Sequence, residues 1–83
     1  MGDFTVTAVR LLLEGLHAKL TLTDTSGGYY EAIAFQCAAR LRWRPTSGPV
    51  RLVYTLAINR YQGRESVQLV VERVITLDSI ATL

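Results

Sequence analysis

Residues 14–24 read EGLHAKLTLTD. Glu14 and Gly15 are typical turn residues, and the residues after them alternate strictly between apolar and polar side chains. This period of two is typical of a β-strand that has one buried face and one solvent-facing face. The stretch therefore predicts a tight turn followed by a strand over residues 16–24.

Turn residues recur at short intervals on both sides of this stretch, which favours several short strands over a few long helices. The predicted strands cover residues 4–13, 16–24, 29–35, 50–59 and 64–77. Residues 36–44 are rich in Ala, Leu and Arg and end before Pro45, which predicts a short helix.

The resulting order, three strands, one helix and two strands, predicts an all-β fold: a small five-stranded Greek-key barrel of the oligonucleotide-binding (OB) type, with one short helix between strands 3 and 4. Two alternatives remain at this point. An SH3-like barrel also has five strands but no helix at that place, and a five-stranded open sheet could carry the same helix packed on one face.

The alternation also predicts which side chains share a face, because a slip of one residue moves every side chain to the other side of a sheet. A turn at Glu14-Gly15 places Arg10 opposite Lys19 on the outer face. The core layer beneath this pair would contain Val9, Leu11 and Leu13 with Leu16, Ala18 and Leu20.

The two later hairpins extend this register. Pairing of Thr23 with Tyr30 would place Tyr30 on the outer face of the sheet, beside the small side chains of Ala32 and Ala34. The residues that would then point inward are Ile33, Phe35, Leu52, Tyr54, Leu56 and Ile58, and the outer face of the last hairpin would pair Arg51 with Glu72.

The composition limits the function classes. The 83 residues suffice for one domain, and the net charge of +2 is small. Cys37 is the only cysteine and His17 the only histidine, so the chain can build neither an internal disulfide, a His or multi-Cys metal cluster, nor a Ser-His-Asp triad. We therefore expect no catalysis and no cofactor in this domain.

The chain also lacks a signal peptide pattern, and its longest leucine run, residues 11–13, is far too short to cross a membrane. We expect no membrane partner and a cytoplasmic location.

Eight of the nine cationic residues are arginine, the side chain that best matches phosphate and stacks on bases. Cations beside tyrosines on a sheet face and in a hairpin form the kind of surface that binds single strands. The candidate nucleic-acid-binding residues are Arg10, His17, Lys19, Tyr30, Arg60, Tyr61 and Arg64. Solubilising surface charge is the alternative explanation of the same pattern.

Residues 36–44 leave their role open. Arg40, Arg42 and Arg44 would contact either DNA or a neighbouring domain, and Trp43 is interpreted as a plug of the barrel rather than a base-stacking residue.

Three segments resemble the OB domain of RecJ-type single-strand-specific DNA exonucleases. They are Gly15-Leu16-His17-Ala18-Lys19-Leu20-Thr21-Leu22, Ala32-Ile33-Ala34-Phe35, and the closing hairpin from Leu52 to Glu72 with its Asn-Arg-Tyr-Gln-Gly turn. The resemblance spans about residues 5 to 76. By motif position Lys19, Asn59 and Gln68 correspond to family positions, whereas Gln36-Cys37 departs from a glycine that often follows the phenylalanine in the family.

The resemblance implies an accessory role. Such enzymes degrade single-stranded DNA from the 5′ end, in repair and recombination, with manganese or magnesium held in a separate nuclease core whose motifs this chain lacks. It implies that residues 1–83 are a single OB-fold domain belonging to a larger exonuclease, with single-stranded DNA and the nuclease core of the same parent chain as partners. The rival hypothesis is a docking module without nucleic-acid contact, which would expose an apolar patch around Val53, Val70 and Trp43.

Overall fold

The structure, a computed structural model, describes residues 2–75. The elements are β1 Gly2–Leu12, β2 His17–Thr23, β3 Tyr29–Ala34, a π-helical turn Cys37–Leu41, β4 Gly48–Tyr61 and β5 Arg64–Ile75. The predicted all-β fold with one short helical piece between strands 3 and 4 is confirmed. The last two residues of the predicted fifth strand, 76–77, lie outside the described residues.

The strands close into a barrel in the order β1-β2-β3-β5-β4. All neighbours are antiparallel except β3 and β5, which run parallel and share two register pairs, Ala32 with Leu69 and Ile33 with Val70. A bulge after Val6 interrupts the ladder between β1 and β2. The ladder with β4 covers residues 2–6 of β1 and the ladder with β2 covers residues 5–12, and the bulge bends the strand where the first ladder ends.

The core lies inside this barrel and is apolar throughout. Its largest fully buried side chains are Leu20, Leu22, Leu52, Val6 and Val71. Leu41 and Trp43, from the segment between β3 and β4, pack against the same cluster and are partly buried. The position of Trp43 agrees with its interpretation as a plug of the barrel.

The predicted register between β1 and β2 is confirmed. Val9 pairs with Leu20, and Arg10 pairs with Lys19. The core layer predicted on its inner face is only partly right, because Val9, Ala18 and Leu20 contact or belong to the core. Leu11, Leu13 and Leu16 are exposed.

The predicted register between β2 and β3 is wrong by one residue. Thr23 pairs with Tyr29 rather than Tyr30. The Asp24 carboxylate accepts backbone hydrogen bonds from Ser26 and Gly28, at 2.9 and 2.8 Å, and so fixes a five-residue loop between the paired strands. Consequently Ala32 and Ala34 are fully buried in the core instead of lying on the outer face, and Phe35 is exposed.

The predicted pairing of β4 with β5 is wrong by two residues, which changes the partners but preserves the faces. The turn is only two residues long, so Tyr61 pairs with Arg64, and Leu56 pairs with Leu69. Leu56 and Ile58 share the inward-facing row with Tyr54, but they are 66% and 62% exposed because the hairpin extends past the rest of the barrel.

The expected cross-strand pair of Arg51 and Glu72 is also wrong. Arg51 donates two hydrogen bonds to Asp3, at 2.6 and 3.2 Å. Glu72 instead lies 3.7 Å from Arg40.

Candidate nucleic-acid interface

The outer face of β1, β2 and β3 carries a shallow depression of about 270 Å³. Its side chains come from three strands and from β5, which borders β3. The polar and charged residues that line it are Arg10, Lys19, Thr21, Glu31 and Gln68, and we call this surface the cationic depression. Lys19 and Gln68 are two of the three residues that the motif resemblance singled out, and the structure brings them together.

Arg10 and Lys19 form no salt bridge with any other residue among 2–75. Two unneutralised cations opposite each other on a sheet repel one another, which costs a few tenths of a kcal/mol or more. An anion placed between them would remove this repulsion. The depression therefore has the electrostatics of a phosphate contact, with the Thr21 hydroxyl as an added donor.

Glu31 was missed by sequence reasoning as a member of this surface. The predicted register points Ile33 and Phe35 inward, and alternation along the strand would point Glu31 inward with them, whereas Glu31 is exposed and pairs with Thr21 on the outer face. A carboxylate predicted in an apolar core is itself a signal that the assumed register is wrong. Its presence makes the depression mixed in charge rather than purely cationic.

His17 lies on the same face of β2 as Lys19, but its ring is already engaged. Its Nδ1 accepts a hydrogen bond from the backbone N–H of Gln36 at 3.0 Å, and its ring packs edge-on against Phe35. Gln36 has a left-handed backbone, with φ of 51°, at the position where the resembling family often has glycine. His17 thus stabilises the start of the π-helical turn and leaves only Nε2 for a ligand.

Tyr30 lies elsewhere than predicted. It belongs to the row of β3 residues that faces inward with Ala32, and its ring packs edge-on against Phe4 with the centroids 5.5 Å apart. Its hydroxyl donates to Asp24 Oδ2 at 2.6 Å. This hydrogen bond lowers the pKa of Asp24 and raises the pKa of Tyr30. The predicted group of Arg10, Lys19 and a stacking Tyr30 on one face is therefore not formed.

The remaining candidates lie at the tip of the β4–β5 hairpin. Gln62 and Gly63 both have positive φ, 49° and 76°, which is the geometry of a tight two-residue hairpin turn. Asn59, interpreted as a residue of the turn, instead lies within β4. Tyr61 is 71% exposed, and Arg60 is paired with Glu65 at 3.1 Å. The tip thus presents an accessible ring and the Arg64 guanidinium.

The arginines between β3 and β4 differ in role. Arg40 donates to the backbone carbonyl of Val71 at 2.9 Å, which attaches the π-helical turn to β5. Arg42 has a left-handed backbone and ends that turn, and Arg44 is exposed. The apolar patch expected of a docking module is not exposed, because Val53, Val70 and Trp43 are all half-buried.

Neither a metal centre nor a membrane span is found in the part of the chain that the structure describes. Residues 2–75 contain no group of three or more His, Cys, Asp or Glu side chains that could hold a metal ion. No helix within the same residues is long and apolar enough to cross a membrane.

A closed five-stranded barrel with a charged outer face on β1–β3 and a protruding β4–β5 hairpin defines the class: a small all-β barrel domain. Residues 1–73 match the family model of the RecJ OB domain, so the chain belongs to that family. Neither a curated protein nor a solved structure matches the chain.

Proposed function

We propose that this chain is the single-stranded-DNA-binding accessory domain of a RecJ-like 5′→3′ exonuclease that acts in DNA repair and recombination. The single observation that carries the proposal is the opposed pair of Arg10 and Lys19, which lacks a carboxylate partner among residues 2–75 and lies on the β2–β3 side of a RecJ OB domain. In OB barrels this side and the β4–β5 loop are the usual nucleic-acid-binding surface.

The barrel itself is proposed to be of the OB Greek-key type. The strand order, with β5 between β3 and β4 and β4 paired back to β1, supports this assignment together with the family match. We further propose that residues 1–83 are one domain of a longer chain.

Hydrolysis is assigned to that parent chain. Two-metal cleavage of a phosphodiester needs a set of carboxylate and histidine ligands. The described residues offer no such group, so manganese or magnesium would be held by the nuclease core and not by this domain. The role of this domain is to hold the strand, with Arg10, Lys19, His17 and the hairpin residues Arg60, Tyr61 and Arg64 as the proposed contacts. Tyr30 lines a separate groove between β3 and β5 and would contact the strand from there.

The test is a titration of the 83-residue chain with fluorescently labelled single-stranded and duplex oligonucleotides at several salt concentrations. We expect a dissociation constant of roughly micromolar or weaker for single strands. With about three phosphates contacted, the slope of log K against log salt should be near −2, from about −0.7 per phosphate. Duplex that binds as tightly as single strand would refute the proposal.

A docking module is the second candidate, and one observation favours it. Leu56, Ile58 and Val67 are all at least 60% exposed and lie on one face of the protruding hairpin. Contiguous exposed apolar side chains often mark a protein contact. This role would be supported if the 83-residue chain binds no oligonucleotide at low salt, and if a triple change of these residues to Ser weakens association of the domain with its separately expressed nuclease core.

A further inference from the structure

The parallel seam between β3 and β5 opens into a groove toward the N-terminal end of both strands. The register of Ala32 with Leu69, continued backward, would set residues 29–31 beside residues 66–68, but no ladder pairs form there. A groove of about 700 Å³ occupies this split, lined by Phe4, Tyr29, Tyr30, Glu31, Tyr54, Leu56, Ser66, Val67 and Leu69. We call it the β3–β5 groove.

Four of these lining residues are aromatic. Tyr30 and Tyr54 are both held edge-on against Phe4, with centroids 5.5 and 5.7 Å away, so the floor of the groove is fixed. Tyr29 at the rim is 76% exposed, and its ring is free to receive a ligand. An unstacked base is flat and apolar on its faces, and it stacks favourably on an exposed aromatic side chain.

Glu31 is the charged side chain of the groove. It forms no salt bridge within the described part of the chain, although Arg10 and Lys19 line the neighbouring depression. An ionised carboxylate only accepts hydrogen bonds, and its two oxygens suit two adjacent donors. Among the four DNA bases, guanine presents two adjacent N–H donors, N1–H and the N2 amine. In adenine and cytosine an acceptor nitrogen lies next to the amine, and in thymine two carbonyls flank the single N–H.

We propose that the β3–β5 groove binds one unstacked guanine of a single strand, with Tyr29 stacked on the base and Glu31 accepting from its N1–H and N2 amine. Glu31 lines both the groove and the cationic depression, so a strand whose phosphates contact Arg10 and Lys19 can place a base in the groove. The inference rests on the proposed single-strand binding and adds a base preference to it.

The experiment compares the affinities of the 83-residue chain for labelled dT12 and for the same strand with one central dG, dA or dC. A single dG avoids self-association of guanine-rich strands. We expect the dG strand to bind at least about fivefold more tightly than dT12, since a bidentate contact discriminates between bases to that extent or more. Replacing dG by deoxyinosine, which lacks the N2 amine, should remove most of the preference.

Two variants assign the preference to residues. Glu31→Gln should abolish the dG preference while tightening dT12 binding, because it removes a negative charge beside the strand. Tyr29→Ala should weaken the dG strand more than dT12. Glu14→Gln is the matched control: it removes the same charge in the β1–β2 turn, at the far end of β2 and β3, and should keep the dG preference.

Three outcomes would overturn the inference. Equal affinity for all four strands would refute the guanine contact while leaving single-strand binding intact. A dG preference that survives Glu31→Gln and Tyr29→Ala would place the contact elsewhere. No binding of any strand at low salt would refute the proposed function and this inference together.

Discussion

Arg10 on β1 lies directly opposite Lys19 on β2, with no carboxylate bonded to either within residues 2–75. Other arginines of the barrel are neutralised: Arg51 by Asp3, Arg60 by Glu65 and Arg40 in part by Glu72. Arg64 and Arg73 of β5 also form no salt bridge within residues 2–75, but Arg10 and Lys19 differ from them in that two cations lie directly opposite each other on neighbouring strands, where one phosphate could contact both.

The double change Arg10→Ala and Lys19→Ala should weaken single-strand binding and slightly stabilise the fold. Loss of two phosphate contacts should make the log–log salt slope shallower by about 1.4, and relief of repulsion should raise the free energy of unfolding by a few tenths of a kcal/mol. A binding titration at several salt concentrations measures the slope, and urea denaturation measures the free energy of unfolding. Arg44→Ala with Arg73→Ala, which removes the same net charge elsewhere, is the control, and an equal loss in that pair would mean that only net charge matters.

Leu20→Ala and Leu56→Ala should differ sharply in stability. Leu20 is 2% exposed in the core and Leu56 is 66% exposed on the hairpin. The first change should cost about 2–5 kcal/mol, enough to unfold most of so small a domain. The second should stay within about 0.5 kcal/mol of the wild type. Thermal melts of the two purified variants make the comparison, and a Leu20→Ala protein that melts like the wild type would contradict the core described above.

The hairpin turn should respond to substitution in opposite directions at its two residues. Gly63 has φ of +76°, and an added Cβ would meet nothing within 4 Å, so Gly63→Ala tests backbone strain alone. We expect a cost of about 1 kcal/mol and a melting temperature lower by roughly 4–8 °C. Gln62→Asn should instead stabilise the turn, because asparagine tolerates the left-handed conformation that Gln62 adopts. Thermal denaturation of both variants measures the two shifts in melting temperature. A Gly63→Ala variant more stable than the wild type would show that the turn has another geometry.

Low pH should remove the stabilising contribution of the Asp24 hydrogen bonds in the loop between β2 and β3. The Tyr30 hydroxyl and the backbone N–H of Gly28 hold the pKa of Asp24 below its ordinary value of 3.8. Because the folded pKa is the lower one, this contribution is complete above about pH 4 and is lost as the pH falls through the folded pKa. Tyr30→Phe should therefore destabilise the protein at about pH 6, and the difference from the wild type should shrink at about pH 2.5.

Urea midpoints at the two pH values test this, with Tyr29→Phe as the control because the Tyr29 hydroxyl makes no hydrogen bond to a described side chain. Both proteins should remain acid-sensitive, since Arg51 also lowers the pKa of Asp3. A Tyr30→Phe difference that is the same at both pH values would show that the hydrogen bond does not depend on the charge of Asp24.

The sequence predicts the elements and the first hairpin well, because alternation of apolar and polar residues reports directly on strand faces. It fails at the second hairpin because the loop length depends on Asp24, whose side chain accepts hydrogen bonds from two backbone N–H groups and holds a loop one residue shorter than the predicted one. This shift of one residue exchanges the two faces of β3, so Ala32 is in the core and Glu31 is on the outer face.

The candidate site is predicted only in part, because its residues lie on two hairpins and only one of them has the predicted register. Arg10 and Lys19 belong to the hairpin whose register is right, and their juxtaposition is confirmed. Tyr30 and Glu31 depend on the hairpin whose register is wrong. The exposure of Leu56 has a different origin: alternation shows the face of a residue but not whether the strand extends past its neighbours, which depends on the length of all five strands.

The parallel contact between β3 and β5 consists of two register pairs, whereas five pairs join β1 to β4 on the other side of the same ring. Rupture of this seam alone would unroll the barrel into one continuous sheet, β3-β2-β1-β4-β5, with every antiparallel ladder intact. We therefore expect the barrel to open most easily at this seam, by a hinge motion about the β1–β4 junction. The amides of β3 that face the seam should exchange with solvent deuterium faster than those of β1, through a motion that leaves both halves folded.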